Sequence, residues 1–288
     1  MLGKLMKYEW RGYRFAILIM CAILLGFTIL TCGVILTIDP RYDEVLYGHT
    51  LWGLIMSILL YYFGIIGCSI GISVIIAVRF YKTCYTDQGY LTHTLPVSPN
   101  QLLIAKFVTA LLTYLIILLL IIVTIFIIIS TGINHFINLS PNSDILRREL
   151  AYNWAMYGED FKEAFYDILG IRPGSYMILL LIYSLISCAA NIMTILGCIS
   201  LGQLYTSHRI LGSIIAYFAV QFVLSILSYL WALPMYSKIL WASTYNEELT
   251  FFNTYSPTML RTLLSSVVVA IVMYFINLHM MTKKLNLE

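Results

Sequence analysis

Between Phe107 and Ile129 the sequence reads FVTALLTYLIILLLIIVTIFIII, and none of these side chains is charged. A helix needs about 20 apolar residues to cross the roughly 30 Å hydrocarbon layer of a bilayer. Because hydrocarbon offers no water to the backbone amides, a segment this apolar must satisfy its hydrogen bonds internally, as a helix does. The stretch therefore predicts a transmembrane helix.

Five further runs along the chain are apolar and long enough to cross in the same way. The chain of 288 residues is 60% hydrophobic and only 11% charged, whereas a soluble domain carries about 25% charge. We predict an all-α, polytopic membrane protein whose transmembrane domain occupies 15–288. Its six predicted spans lie at about 15–38, 51–78, 102–131, 176–203, 210–233 and 262–282.

Residues 1–14 have the pattern of an amphipathic helix that lies on a membrane surface. At about 100° per residue, apolar side chains share one arc and cations share the opposite arc. The two arcs comprise Leu2, Leu5, Met6, Trp10 and Tyr13, and Lys4, Lys7, Arg11 and Arg14, respectively. Glu9 falls within the apolar arc, where it either reaches water at the edge or pairs with a partner protein.

Charges between the spans predict the orientation of the chain. With the N-terminus in the cytoplasm, ten of the 17 Lys and Arg residues lie inside, although the outer segments are longer. Eleven of the 14 Asp and Glu residues then lie outside. The positive-inside tendency therefore predicts that both termini are cytoplasmic.

The cores of the six predicted spans contain no Asp, Glu, Lys or Arg. Ion-coupled carriers and proton pumps need ionisable groups within the membrane, so we expect neither. The sequence also has no GxxxxGK[ST] loop, HExxH or GxSxG motif. We expect a chain that is not an enzyme, holds no cofactor or metal, and receives energy from a separate polypeptide. Its net charge of +3 gives no reason to expect a nucleic-acid partner.

Amides and small residues within the spans suggest contacts between helices. Asn191 and Gln221 lie mid-span. An interhelical hydrogen bond is the favoured interpretation of each, and contact with a substrate in a transport pathway is the alternative. Small residues let helix backbones approach closely, and those at suitable spacing are Gly64, Gly67, Gly71, Gly212 and Ala216.

The longest predicted cytoplasmic loop, 79–101, carries the signals of a short helix between two long ones. Asp87 can cap a helix that Pro96 ends, and its residues are Gln88, Gly89, Tyr90 and Leu91. Ser98-Pro99-Asn100-Gln101 then supplies an N-cap, a proline at N1 and a capping-box glutamine. Such a lever could pass a force to spans two and three, although an ordinary connecting loop is the alternative.

This loop resembles the coupling-helix region of ABC-2-type permeases. The matching residues are Asp87-Gln88-Gly89-Tyr90-Leu91, then Leu95-Pro96-Val97-Ser98 and Lys106. Lys7-Tyr8-Glu9 and the closing 283–288 segment are similar to permeases of this kind from Gram-positive bacteria. The six-span layout extends the resemblance over the whole chain.

The resemblance implies the membrane subunit of a type V ABC exporter in a bacterial plasma membrane. Residues 1–14 would be its connecting (elbow) helix and about 87–93 its coupling helix. Asp87, Gln88, Gly89, Tyr90, Leu91 and Glu9 would contact a nucleotide-binding ATPase subunit, which binds ATP and Mg. Two copies, or one copy and a paralogue, would pair among the membrane lipids.

The two longest segments predicted outside the cell have different characters. Segment 132–175 can form two short helices, 144–156 and 159–169, ended by Gly170 as a C′ residue. Segment 234–261 is rich in aromatic residues. The resemblance implies that it forms re-entrant helices, with Trp241, Phe251 and Phe252 as candidate gate residues.

Apolar spans and the habits of the family favour an amphipathic or hydrophobic cargo. The preferred prediction is a toxin or antimicrobial peptide, such as a phenol-soluble modulin. Export of drug-like or lipid amphiphiles is one alternative. A membrane assembly or sensor protein without transport is the other.

Overall fold

The computed structural model of the chain describes residues 2–39, 44–86, 88–89, 97–139, 143–205, 208–245 and 250–283. Within these ranges the regular structure is helical, with no strand. The helices are α1 Leu2–Leu36, α2 Glu44–Tyr85, α3 Pro99–Leu139, α4 Ser143–Leu169, α5 Pro173–Gly202, α6 Arg209–Tyr245 and α7 Phe251–Lys283. The prediction of an all-α chain is confirmed.

In the described part of the chain, six helices are long and apolar enough to cross a membrane. They are α1, α2, α3, α5, α6 and α7, and each contains all or nearly all of one predicted span. The helix α4 is different because nine of its 27 residues are charged. The chain is therefore a multi-pass membrane protein, whereas the cytoplasmic position of its termini stays a prediction.

Among the described residues, no break separates the predicted surface helix from the first predicted span. Residues 2–36 form one continuous helix. The stretch contains no proline, and Gly12, the glycine nearest to the predicted boundary, lowers helix stability by about 1 kcal/mol without ending the helix. The exposure pattern still follows the predicted arcs, since Tyr13 is buried while Lys7 and Arg11 are exposed.

Segment 132–175 also differs from its prediction. Instead of two short helices it contains the end of α3 and the single helix α4, which runs through Gly158. The predicted end of this helix is correct: Gly170 has φ +74° and donates its backbone N–H to the Tyr166 carbonyl at 2.7 Å. This is the hydrogen bond of a left-handed helix C-terminus, which glycine adopts without strain.

The described residues of 234–261 belong to two long helices, so separate re-entrant helices are not found there. α6 continues through Pro234 to Tyr245, and α7 begins at Phe251. A proline removes one helical hydrogen bond, and neighbouring groups commonly compensate for it in membrane helices. Lys238 Nζ donates to the Asn253 carbonyl at 3.4 Å, so these ends of α6 and α7 are close together.

The chain divides into two compact units. The C-terminal unit comprises Met1–Leu2, Ile76–Phe107 and Tyr157–Glu288, and the N-terminal unit comprises Gly3–Ile75 and Val108–Met156. In the C-terminal unit α5, α6 and α7 pack on one another. Their core is formed by Met193, Cys198 and Met273, surrounded by partly buried apolar side chains.

The N-terminal unit contains most of α1, α2 and α3, which are joined by buried polar contacts. The Tyr61 hydroxyl and Thr124 Oγ1 are 2.7 Å apart and link α2 to α3. Thr31 Oγ1 donates to the Phe27 carbonyl of its own helix at 2.9 Å and also lies 3.4 Å from the Ser57 carbonyl of α2. These bonds satisfy polar groups that find no water in hydrocarbon.

Two of the three predicted packing glycines of α2 lie against α1. A Cβ atom at Gly64 would lie 2.5 Å from the nearest ring carbon of Phe27, and one at Gly71 would lie 2.5 Å from Met20 Cε. A Cβ at Gly67 would meet no atom within 4 Å. Gly64 therefore sets how closely these helices approach.

We expect Gly64→Ala to destabilise the protein by about 1–3 kcal/mol, because an aromatic ring must move to admit the methyl group. Gly71→Ala should cost less, since the end of the Met20 side chain is flexible. Gly67→Ala is the matched control and should be neutral or stabilise by up to about 1 kcal/mol through helix propensity. Thermal unfolding in detergent measures all three, and equal melting temperatures for Gly64→Ala and Gly67→Ala would contradict this packing.

Candidate functional site

Buried polar side chains collect at one end of the C-terminal unit, which we name the loop end. There α2 and α5 end, α3 and α6 begin, and the 86–98 segment joins α2 to α3. The buried polar side chains of the loop end are Thr83, Tyr85, Lys106, Ser200, Gln203 and Asn277. Because buried polar groups are costly unless they are hydrogen-bonded, their bonds determine how this end is held.

A chain of hydrogen bonds connects α2, α5 and α7 at the loop end. Ser200 Oγ donates to Asn277 Oδ1, and the Tyr85 hydroxyl lies 2.6 Å from Ser200 Oγ. Since the single Ser200 proton goes to Asn277, Tyr85 must be the donor to Ser200. Asn277 Nδ2 in turn donates to the Met273 carbonyl at 3.1 Å. We name this chain the Tyr85 relay.

The start of α3 is bound to the same helix that ends the relay. The Tyr274 hydroxyl donates to Asn100 Oδ1 at 2.5 Å. Tyr274 and Asn277 are three residues apart, so they project from the same side of α7. One side of α7 therefore contacts both flanks of the α2/α3 loop: α3 directly, and α2 through Ser200.

A buried cation bridges the two flanks themselves. Lys106 is 4% exposed, and its Nζ donates to Thr83 Oγ1 at 2.6 Å. Thr83 Oγ1 also donates to the Arg79 carbonyl at 2.8 Å. Because a buried ammonium group needs hydrogen-bond acceptors, the Lys106–Thr83 hydrogen bond links α2 to α3 beside the loop.

The ends of α5 and α6 pack closely at the loop end. A Cβ atom at Gly202 would lie 2.5 Å from the backbone nitrogen of Ser213, so only glycine fits there. Gln203 is buried, and its Nε2 donates to the Ile199 carbonyl at 3.3 Å. Among the described residues its Oε1 atom has no hydrogen-bond partner.

The predicted coupling residues lie in and beside this loop. Gln88 is exposed and Gly89 is buried, and the backbone N–H of Gly89 donates to the Thr86 carbonyl at 2.6 Å. Asp87, Tyr90 and Leu91 lie outside the described residues.

The first of the two predictions for Glu9, that its side chain reaches water, does not agree with its burial. Its side chain belongs to the N-terminal unit and is 5% exposed, so it does not reach water at the edge of the apolar arc. Contact between Glu9 and a partner protein stays a prediction.

The candidate pathway residues fall into two groups. Asn191 and Gln221 are half-buried on α5 and α6, and within the described ranges neither side chain makes an interhelical hydrogen bond. Among the described residues the packing interpretation therefore has no hydrogen bond to support it, and both interpretations stay predictions. Trp241 is 65% exposed, while Phe251 and Phe252 are half-buried at the far end of α7.

No family model, curated protein sequence or solved structure matches this chain. Its likeness to ABC-2-type permeases therefore rests on the loop motif, the two terminal motifs and the six-span layout.

Two open grooves beside α7 provide apolar surfaces in the C-terminal unit. The larger measures about 740 Å³ and lies between α5 and α7, with Leu201, Phe275 and His279 among its lining residues. The second measures about 400 Å³ and is lined by residues such as Phe107 and Tyr274. In the described part of the chain, no group of three or more His, Cys, Asp or Glu side chains could hold a metal ion.

Sequence reasoning missed the residues of the Tyr85 relay. Asn277 lies within the last predicted span, as Asn191 and Gln221 lie within theirs, and the same criterion could have selected it. Lys106 enters the sequence analysis as a cytoplasmic charge and as part of the loop motif, although a lysine seven residues after the start of an apolar helix also predicts a buried partner. Ser200 and Tyr85 had no sequence signal, because serine and tyrosine are common in membrane helices.

Ser200→Ala should destabilise the protein by about 2 kcal/mol, because it leaves the buried Tyr85 hydroxyl and Asn277 carbonyl unpaired. Ser184→Ala is the matched control on the same helix. Ser184 Oγ donates to the Leu181 carbonyl within its own turn, so its loss should change stability by less than about 0.5 kcal/mol. Thermal unfolding in detergent tests both variants, and an equal effect of the two would show that the relay adds no stability.

Proposed function

We propose that the chain is the membrane-spanning permease subunit of an ATP-driven exporter, powered by a separate nucleotide-binding subunit. The observation that carries this proposal is the anchoring of the α2/α3 loop. The α2 flank is fixed to the α5–α7 bundle by buried hydrogen bonds through Ser200, and the α3 flank by the exposed hydrogen bond between Asn100 and Tyr274. An ordinary connecting loop needs no such anchoring, whereas a loop that receives force from a partner does.

The composition of the spans supports an external source of energy. The predicted span cores lack acidic and basic residues, so the chain offers no group in mid-membrane for a driving ion or proton. The buried Lys106 lies at the loop end, in the first turns of α3, and does not alter this conclusion. The ATPase subunit would bind ATP and Mg and press on residues 87–93.

The proposed cargo is an amphipathic or hydrophobic molecule, with a toxin or antimicrobial peptide as the preferred choice. The apolar grooves beside α7 are suited to such molecules, because they expose few polar groups. Asn191 and Gln221 lack an interhelical partner within the described residues, which favours their alternative role in contacting cargo. A half-buried amide in an apolar span gains a hydrogen bond when a peptide passes.

The proposed complex lies in the plasma membrane of a bacterium and contains two permease chains, either identical or paralogous, with two ATPase subunits. Trp241, Phe251 and Phe252 would lie on its outer side. The Phe251 ring stacks on Tyr255, with centroids 4.3 Å apart and planes inclined by 22°. Stacked rings at this end of α7 would suit a gate for amphipathic cargo.

The test begins with a search for a nucleotide-binding ATPase gene beside the gene of this chain, followed by co-expression, purification and reconstitution of the two proteins. We expect a stable complex whose ATPase activity rises with amphipathic peptides. The double change Asp87→Lys with Gly89→Trp should abolish that stimulation, because charge reversal and a bulky side chain in the loop would disturb its contact with the ATPase.

The matched control is Asp144→Lys with Gly174→Trp. Asp144 lies in the first turn of α4, and a Cβ at Gly174 would meet no atom within 4 Å. Both positions are predicted to face the other side of the membrane, so the control should retain peptide-stimulated ATPase activity. Undiminished stimulation in the Asp87/Gly89 variant would refute the coupling assignment, and failure of the chain to bind the ATPase would refute the permease role.

A further inference from the structure

The two flanks of the α2/α3 loop are both bound to α7, by polar side chains three residues apart. Tyr85 is the last residue of α2 and Asn100 the second residue of α3. Tyr85 reaches Asn277 through Ser200, and Asn100 accepts a hydrogen bond from Tyr274. Any displacement of the loop that moves the ends of α2 and α3 together therefore acts on one short stretch of α7.

Burial makes the Tyr85 relay hard to break. Tyr85 is 1% exposed, and Ser200 and Asn277 are fully buried. With no water to replace a lost partner, separating any two of these groups leaves polar atoms unsatisfied in an apolar bundle. When Tyr85 shifts slightly, we therefore expect Ser200 and Asn277 to move with it, because breaking the hydrogen bonds between them costs more free energy.

Close packing also joins α7 to α5 at the level where the relay ends. The relay ends on the carbonyl of Met273, whose side chain belongs to the core of the bundle. A Cβ atom at Gly197 would lie 2.6 Å from Met273 Cβ, so α5 and α7 have no gap between them at this level. Densely packed elements transmit displacement because they cannot be compressed.

We propose that Asn277 and Tyr274 are positioning residues that transmit movement of the α2/α3 loop to the α5–α7 bundle. Asn277 acts through Ser200 on the end of α2, and Tyr274 acts on the start of α3. This inference rests on the proposed function and adds to it the route by which ATP hydrolysis reaches the transport pathway. The route runs through α7 and does not involve the rest of the α2 span.

The chain offers a matched pair of tyrosines for the test. Tyr85 and Tyr61 are both buried on α2, and each hydroxyl bonds to one hydroxyl on another helix, at 2.6 and 2.7 Å. They lie roughly 36 Å apart along the helix. Replacing either by phenylalanine removes one hydroxyl group and leaves the ring, so both variants should fold.

The first measurement is hydrogen–deuterium exchange of the purified chain in nanodiscs, without ATPase. Tyr85→Phe and Asn277→Leu should each raise amide exchange in 76–85 and 273–281 by about two- to tenfold, the effect of losing one buried hydrogen bond. Tyr61→Phe should leave exchange in these two segments unchanged. Equal exchange for Tyr85→Phe and wild type would show that the relay does not join α2 to α7, and would overturn the proposal.

The second measurement is the ratio of peptide-stimulated to basal ATPase activity in the reconstituted complex. Tyr85→Phe and Asn277→Leu should bring this ratio down toward unity, and the double variant should lose no more than the stronger single variant, because both break one linkage. Tyr61→Phe should keep the wild-type ratio. A merely structural role would change melting temperature without changing the ratio.

The outcomes separate this inference from the proposed function. If the wild-type complex is stimulated by peptide and Tyr85→Phe retains the full ratio, the transmission route is wrong and the permease role stands. If the wild-type chain binds no ATPase, the permease role is wrong and the transmission route falls with it. A reduced ratio in Tyr85→Phe but not in Tyr61→Phe supports both.

Discussion

Hydrocarbon supplies no hydrogen-bond partner, and this one constraint governs both the backbone and the polar side chains of the protein. The backbone meets it with long helices, in which nearly every amide is bonded within its own segment. Polar side chains meet it in two ways. Most hydrogen-bonded serine and threonine hydroxyls in the described ranges donate to a carbonyl of the preceding turn, as Thr113 does to Thr109. A few, such as Ser200, bond to other helices, and these few determine which helices are held together.

The same constraint explains the position of the interhelical hydrogen bonds in the C-terminal unit. Lys106, Ser200 and Asn277 all lie near helix ends, where burying a polar group costs the least free energy. There they connect α2, α3, α5 and α7 at the loop end. The N-terminal unit differs, because its Tyr61–Thr124 contact joins α2 to α3 within the spans.

The sequence predicts the helices well because their cause is local. Length and apolar composition alone locate all six spans, and the left-handed turn at Gly170 follows from its glycine.

Long-range features are harder to predict. Nothing in the local sequence shows that α1 continues without a bend through residue 14, or that α6 passes through Pro234, since both depend on neighbouring helices. The Tyr85 relay joins residues more than a hundred positions apart, and a single sequence contains no information on that pairing. Gly64 and Gly71 have the expected packing role, while Gly67, equally well spaced, does not.

The length of α2 has a consequence for any protein that approaches the loop. α2 extends from the predicted end of its span at Val78 to Tyr85, which adds about 10 Å of helix. The headgroup layer of a bilayer is about 5–8 Å thick on each side. The end of α2 therefore lies about 2–5 Å beyond the headgroup layer. A protein that contacts this end of α2 would lie within a Debye length of the lipid charges, about 8 Å at physiological ionic strength, so the charge of the lipid surface would contribute to that contact.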